Sequence, residues 1–327
     1  MSGKHVLITG AAGFIGFHLA VRLRALGNTV IGIDNYNDYY TPELKYSRSE
    51  QLKAIGVNVI QGDVTDAPLL HDTVLRHHIT HFVHLAAQAG VRYSLINPQA
   101  YVNANITGFL NVLETCRQFP HIPLTYASSS SVYGRNTKIP FSENDPTDQQ
   151  ASFYGVTKRT NELMAQAYHH LYNISVTGLR FFTVYGPWGR PDMAYFSFAK
   201  AILENKPIDV YNFGNMQRDF TYIDDIVDGI VAAIDLEAKQ EIFNLGNHHP
   251  ELLSALITAL EENLGHKAKM HHVPMQPGDV LTTYADIAHS QKMLGFSPKI
   301  SLSEGIRRFA SWYLEWKHHG SVTKYRV

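Results

Sequence analysis

The chain has 327 residues, a formal net charge of −1, 45% hydrophobic and 17% charged residues. That balance excludes a disordered or membrane-embedded chain, and the absence of a basic cluster gives nucleic acid no electrostatic foothold. No stretch reads as a transmembrane span, the N-terminus enters a strand pattern with no room for a signal peptide, and the single cysteine, Cys116, excludes an internal disulfide. A cytoplasmic protein with one large domain carrying a smaller one is expected. The 18 histidines are scattered, and neighbours such as His77 and His78 do not share a helix face, so no metal site is expected.

From the N-terminus, short β-branched runs alternate with helical periodicity. "HVLITG", "TVIGID", "VNVIQGD", "HFVHLAA", "LTYASSS" and "VTGLRF" read as strands; "FHLAVRLRALG" and "NVLETCRQF" read as helices, the latter carrying Cys116 as a core thiol. The alternation predicts right-handed βαβ units and therefore an α/β, doubly wound parallel sheet of Rossmann type. Beyond Phe181 the pattern loosens into Pro-, Gly- and aromatic-rich stretches, returns at "DDIVDGIVAAIDLE" and "EIFNLG", and ends in amphipathic helices. The expected division is a dinucleotide-binding domain over 1–182 plus 221–247 and a smaller, discontinuous C-terminal substrate domain over 183–220 plus 248–327.

The first strand runs into Gly10, Gly13 and Gly16, the last two framing Phe14 and Ile15 at the start of a helix. Missing side chains let the chain turn sharply and let a pyrophosphate approach backbone N–H groups at a helix N-terminus. Asp34 ends the second strand, where a carboxylate can accept both ribose hydroxyls. It would repel a 2′-phosphate, and "NYNDYY" offers no arginine to receive one, which selects NAD over NADP. Asp63, ending the third strand, either bonds the adenine amino group with Val64 packed on the ring, or caps the helix "APLLHDTVL". Asn35, beside Asp34, and Leu85, Ala86 and Ala87, at the end of the fourth strand, complete the expected cofactor site, because ligands of such sheets sit at the strands' carboxyl ends.

"SFYGVTKRTNE" puts Tyr154 and Lys158 four residues apart, on one helix face. A lysine cation and an oxidised nicotinamide both favour phenolate, so the tyrosine pKa is expected to fall towards physiological values and make a general base. The serine run of "YASSSSVYG", at the end of the fifth strand, is placed to join it.

Together, "TGAAGFIG", "HLAAQAGVRYS", "YASSSSVYG", "YGVTK", "LRFFTVYGPWGRP" and "RDFTYIDDIV" resemble the extended short-chain dehydrogenase/reductase family over nearly the whole chain. Within it the likeness is greatest to the epimerases that act at C4 of UDP-glucuronate, and next to those that act on UDP-glucose. The resemblance implies a tightly held NAD, regenerated in each turnover, and a nucleotide-sugar site in the C-terminal domain. It puts the catalytic serine on Ser129, with Ser130 and Ser131 lining the site and Ser128 finishing the strand. Related dehydratases and decarboxylases carry acidic residues just before "VYG"; this chain has Ser130 and Ser131, which leaves oxidation and re-reduction at C4 as the chemistry the site completes. Arg190 matches the arginine that would clamp a uronate carboxylate, with a solvated loop arginine as the alternative. Thr183 stands where the UDP-glucose enzymes have an asparagine. Arg218 is the expected diphosphate partner, and "IDVYNFG", with Val210 and Tyr211, the expected uracil sandwich. Arg92 adds a positive charge near the phosphates or serves the surface; Asp279 contacts the nucleotide ribose or simply forms a turn. A homodimer through the helices containing "NITGFLNVLETCRQF" and "YGVTKRTNELMAQAYHH" is also implied. Alternative readings are a UDP-glucose or mixed-specificity UDP-hexose 4-epimerase and, from a different class, a non-catalytic NAD-binding sensor or scaffold.

Overall fold

The computed structural model of the protein describes residues 3–275 and 281–319. Strands and helices alternate from β1 (His5–Thr9) through α1 (Phe14–Ala25), β2 (Thr29–Asp34), α2 (Pro42–Ala54), β3 (Asn58–Gln61), α3 (Ala67–Arg76) and β4 (His81–His84). Two helical turns, α4 (Tyr93–Ile96) and α5 (Pro98–Tyr101), lead through a π-helical stretch, Val102–Thr107, into α6 (Gly108–Gln118), followed by β5 (Leu124–Ser129), α7 (Phe153–Tyr172) and β6 (Val176–Phe181). The remainder comprises β7 (Thr183–Tyr185), α8 (Ala194–Leu203), β8 (Pro207–Tyr211), β9 (Gln217–Tyr222), α9 (Ile223–Leu236), β10 (Gln240–Leu245), β11 (Pro250–Leu252), α10 (Leu253–Leu264), β12 (Lys269–Val273), β13 (Thr282–Thr283), α11 (Ala288–Leu294) and α12 (Leu302–His319).

The doubly wound reading holds. Seven strands form one sheet in the order β10-β6-β5-β4-β1-β2-β3, and every pairing is parallel. Helices cover both faces, so the central strands β4, β5 and β6 are buried along their whole length. The order reverses between β1 and β4: the chain leaves β1 towards β2 and later returns to β4. This switch point opens a crevice at the carboxyl ends of those strands.

Three smaller pairings lie beyond Phe181. β9 is flanked by β7 and β13, both parallel, and by β11, antiparallel; β8 pairs with β12. These strands come from two stretches separated in sequence by α9 and β10. α9 buries Ile223, Ile226, Val227, Ile230, Ala233 and Ile234, a stripe at spacings of three and four that seats it beside α1. One apolar core runs from β1 and α1 through this helix to Phe196, Phe309 and Trp312, so both parts of the chain share it. No helix among the described residues is long and apolar enough to cross a membrane.

Candidate active site

The crevice at the switch point is one continuous cavity, and its floor is backbone. Gly10 has φ +74°, a conformation that L side chains rarely adopt, and a Cβ there would lie 2.8 Å from the Ala86 nitrogen. At Gly16 a Cβ would collide with the Gly10 carbonyl, so α1 can begin hard against the turn only without one. Gly13 occupies the N-cap of α1 and has no capping side chain, which leaves the first-turn N–H groups facing the cavity. Asp34 is aimed by main chain: Oδ2 accepts from Ala12 N at 3.0 Å and Oδ1 from Tyr36 N at 2.9 Å, leaving its outer lone pairs for a diol. Gly10, Gly13, Phe14, Ile15, Gly16, Asp34, Asn35, Asp63, Val64, Leu85, Ala86 and Ala87 all line this cavity. A cleft with bare glycines at a helix start and a carboxylate at the next strand end fits a dinucleotide.

One alternative is corrected here. Asp63 does not cap the helix that follows, because Asp66 does, accepting from Leu69 N at 3.0 Å. Asp63 instead accepts from Asn35 Nδ2 at 2.7 Å and from both Thr65 N and Oγ1, bonds that hold its carboxyl below the usual range against the opposing effect of burial.

Tyr154 and Lys158 project from the first turns of α7, whose start is fixed by Ser152 accepting from Gly155 N at 3.0 Å. Both line the cavity with Ser129. Ser129 Oγ accepts from Ser131 N at 3.1 Å, which leaves its own proton free to donate to the hydroxyl of Tyr154. The expected fall in the tyrosine pKa does not occur with the protein's groups alone. Burial pushes Tyr154 up, and the Ser129 hydrogen bond and the charge of Arg190 only partly oppose it. Lys158 points its ammonium at the Ala127 carbonyl, 2.9 Å away, and burial lowers its pKa to about 8.

The serines divide more finely than the sequence suggests. Ser128 turns its hydroxyl onto Glu162 Oε1 at 2.6 Å, and Glu162 is clamped by Arg180 through two bonds of 2.8 and 2.9 Å. This buried ion pair ties the end of β5 to the α7 face that carries Tyr154 and Lys158. The strand runs one residue further than expected, to Ser129. Ser130 and Ser131 sit half-buried on the 3-10 turn Ser130–Tyr133, outside the cavity lining.

Arg190 reaches the same cavity from the far wall, so the solvated-loop alternative is set aside: its Nε and Nη2 engage Asp192 Oδ1 and Oδ2 at 3.0 and 2.5 Å. Sequence reasoning missed what holds its loop. Arg48, wholly buried in α2, donates to Trp188 O (2.6 and 3.1 Å), Gly189 O (3.0 Å), Ala12 O (2.9 Å) and Tyr40 Oη (2.8 Å). His18 of α1, kept neutral by burial with a pKa near 3, donates from Nε2 to Pro187 O at 2.9 Å. The signal was available: Leu44, Arg48 and Leu52 fall on one helix stripe, and an arginine on an apolar stripe needs buried acceptors. Lys45 on the same face also lines the cavity, held by Asn37 O and Oδ1 at 2.8 and 2.6 Å. Asn105, inside the π-helical stretch, grips both Gln88 N and Gln88 O and fixes the strand end where Gln88 lines the cavity.

The remaining expected nucleotide contacts are not in this cavity. Thr183 lies on β7 beside it, between the lining residues Phe182 and Val184. Val210 is buried against Ile208 and Ile257, so its side chain cannot face a base and only its backbone could. Arg92 stacks over the Tyr211 ring at 4.4 Å, and Arg218 donates to Gln217 O and Leu281 O. Asp279 lies outside the described residues. Cys116 is a buried core thiol, and among the described residues no group of three His, Cys, Asp or Glu side chains is placed to hold a metal.

Comparison with known proteins agrees with this geometry. UDP-glucuronate 4-epimerase 4 of Arabidopsis thaliana is 49% identical over 96% of this chain and 76% of its own length. The crystal structure of UDP-glucuronic acid 4-epimerase from Bacillus cereus, in complex with UDP-glucuronic acid and NAD, superposes with a TM-score of 0.89 at 35% identity, covering 95% of this chain and 99% of that one. UDP-glucose 4-epimerase of Thermotoga maritima with UDP-glucose gives 0.86 at 26% identity, covering 95% and 99%. The family model of the NAD dependent epimerase/dehydratase family matches residues 6–246. With a dinucleotide turn, a Tyr-Lys-Ser set and an arginine around one cavity, this chain belongs to the NAD-dependent epimerase/dehydratase family, as a nucleotide-sugar epimerase with NAD as its cofactor.

Proposed function

We propose that the protein interconverts UDP-glucuronate and UDP-galacturonate by transient oxidation at C4. The observation that carries this reading is Arg190, a guanidinium brought by a separate loop into the cavity that holds Tyr154, Lys158 and Ser129. Bound NAD supplies the hydride acceptor and, once reduced, the donor. Gly10, Gly13 and Gly16 would admit its pyrophosphate and Asp34 its adenosine ribose. Tyr154 takes the proton of the sugar 4-OH as C4 is oxidised and returns it when the opposite face is reduced. Ser129 donates to the phenolate and so stabilises it, and the charge of Arg190 acts in the same direction. Burial raises the Tyr154 pKa in the protein alone, and the positive charge of an oxidised nicotinamide beside it would act to lower it. Oxidation at C4 makes a β-keto acid of a uronate, and its carboxylate must be held so that its bond to the ring does not align with the carbonyl π system. A bidentate arginine does that.

Residues 183–220 and 248–327 would carry the nucleotide, with Arg92, Tyr211, Arg218 and Asp279 as its partners. A cytoplasmic homodimer through α6 and α7 completes the reading. A second reading, mixed specificity for UDP-glucose, is favoured by the pairing of Arg190 with Asp192, which leaves a neutral sugar no unmet charge. Purified protein without added NAD is expected to convert UDP-glucuronate into a mixture of two epimers. Turnover of UDP-glucose alone would move the assignment to the neutral-sugar enzyme. Arg190→Ala is expected to raise KM for UDP-glucuronate or divert product to the decarboxylated pentose; clean product at unchanged KM removes the clamp.

A further inference from the structure

Arg190 has one full edge of its guanidinium occupied. Nε meets Asp192 Oδ1 at 3.0 Å and Nη2 meets Oδ2 at 2.5 Å, the parallel two-bond fork that any carboxylate seeks from an arginine. A uronate carboxylate is the same chemical group and would compete for the same fork. Asp192 has a second partner: the Tyr39 hydroxyl, from the segment following β2, donates to Oδ2 at 3.1 Å, and Tyr39 lines the cavity. Both members of the pair are about three-quarters covered, with 23% and 25% of their side chains exposed, so neither is a freely solvated surface charge.

Resting on the reading that Arg190 receives the substrate carboxylate, we propose that Asp192 is an internal competitor for Arg190 and sets the preference between acidic and neutral UDP-hexoses. When the sugar carries an uncharged group on C5, Asp192 stays on the fork and the enclosed guanidinium is not stranded without a counter-charge. When a carboxylate enters, Asp192 must give up the fork and keep only the Tyr39 hydroxyl, and that exchange is charged against uronate binding. Asp192 is thus a specificity-determining residue that penalises the acidic substrate. A mere buttress for Arg190 would favour that substrate, so the two roles predict opposite signs.

The test uses NAD-loaded protein carrying Tyr154→Phe, which prevents turnover, with UDP-glucuronate and UDP-glucose titrated separately by calorimetry. Adding Asp192→Asn keeps the size and one acceptor oxygen but removes the charge. It is expected to tighten UDP-glucuronate by about tenfold, the scale of one charge-assisted hydrogen bond recovered, and to leave UDP-glucose unchanged or weaker. Asp192→Glu, which retains the carboxylate, is expected to restore the parent's ratio of affinities. Weaker UDP-glucuronate binding in Asp192→Asn, or an equal change for both ligands, overturns the proposal. Arg190→Ala in the same background separates the two ideas. If it fails to weaken UDP-glucuronate relative to UDP-glucose, the carboxylate-clamp reading falls and this proposal with it. If it does weaken it while Asp192→Asn gives no tightening, only the competitor role is lost. Retained NAD and an unchanged melting temperature show that each variant is folded.

Discussion

The floor and the rim of the cavity are made of different materials. On the floor, at the carboxyl ends of β1, β4 and β5, the contacts on offer are main-chain N–H groups, glycines that clear space and the Ser129 hydroxyl, fixed by the backbone two residues on. On the rim, between Pro187 and Met193, the shape depends on side chains from remote parts of the chain: Arg48, 140 residues away, His18, 169 away, and Tyr39, 153 away. Where function rests on backbone geometry a few consecutive residues suffice, and substitutions abolish it sharply. A rim held by long-range side-chain pairs can be retuned one pair at a time, which is where a family that shares one chemistry can vary its substrate.

That contrast can be broken or sharpened by substitution. The largest effect is expected at Tyr154. Tyr154→Phe should lower kcat by about a thousandfold, the scale of a lost general base, while NAD remains bound; single-turnover reduction of the bound cofactor measures it. Ser129→Ala removes one hydrogen bond to the developing phenolate and should slow the same step by about ten- to a hundredfold with little change in KM. A near-normal rate would return that serine to a purely structural role. On the rim, Arg48→Met leaves the carbonyls of Ala12, Trp188 and Gly189 without their buried donor. It is expected to cost about 2–4 kcal/mol of stability, read by thermal melting, and to raise KM several-fold with a smaller change in kcat. If KM is untouched, floor and rim are less dependent on each other than the hydrogen bonds indicate.

A pH-dependent effect concerns Lys158. Its folded-state pKa, about 8, lies below the ordinary 10.5 because burial disfavours the ammonium. Below about pH 8 both folded and unfolded chains carry the proton, and the penalty for burying the charge is complete. Between about 8 and 10.5 the unfolded chain holds a proton that the folded one does not, so the stability attributable to this residue rises with pH. Wild-type protein should therefore gain stability relative to Lys158→Met across that window, followed by denaturant titration at stepped pH. A flat difference would place the lysine in a wetter environment than its bond to Ala127 O implies.

The parallel sheet and the floor were legible because each signal is local. A β-branched run, a glycine spacing or a tyrosine four residues from a lysine carries its meaning within one turn or strand. The succession of strands and helices, and with it the doubly wound parallel sheet, followed from that alternation. The pKa of Tyr154 did not follow, because its desolvation depends on what closes over it and Lys158 turns to a carbonyl. Nor did the inward face of Val210: in "IDVYNFG" the strand alternation says that Val210 and Tyr211 point apart, but not which of them meets the core. The Asp66 cap displaced Asp63 because two aspartates three apart offered the same signal, and only the backbone reveals where the helix begins.

Arg48 gives the molecule a mechanical property. One rigid planar cation donates to carbonyls of the glycine turn and of the rim loop at once, and His18, one turn into α1, fastens the same loop a residue or two earlier. The loop cannot swing outward without stripping donors from Trp188 and Gly189, and the turn cannot slacken without losing the partner of Ala12. An outward swing of the loop and a loosening of the turn would each break bonds to the same guanidinium. On the proposed chemistry, in which the oxidised sugar takes back its own hydride, a common latch for cofactor and sugar would serve the reaction.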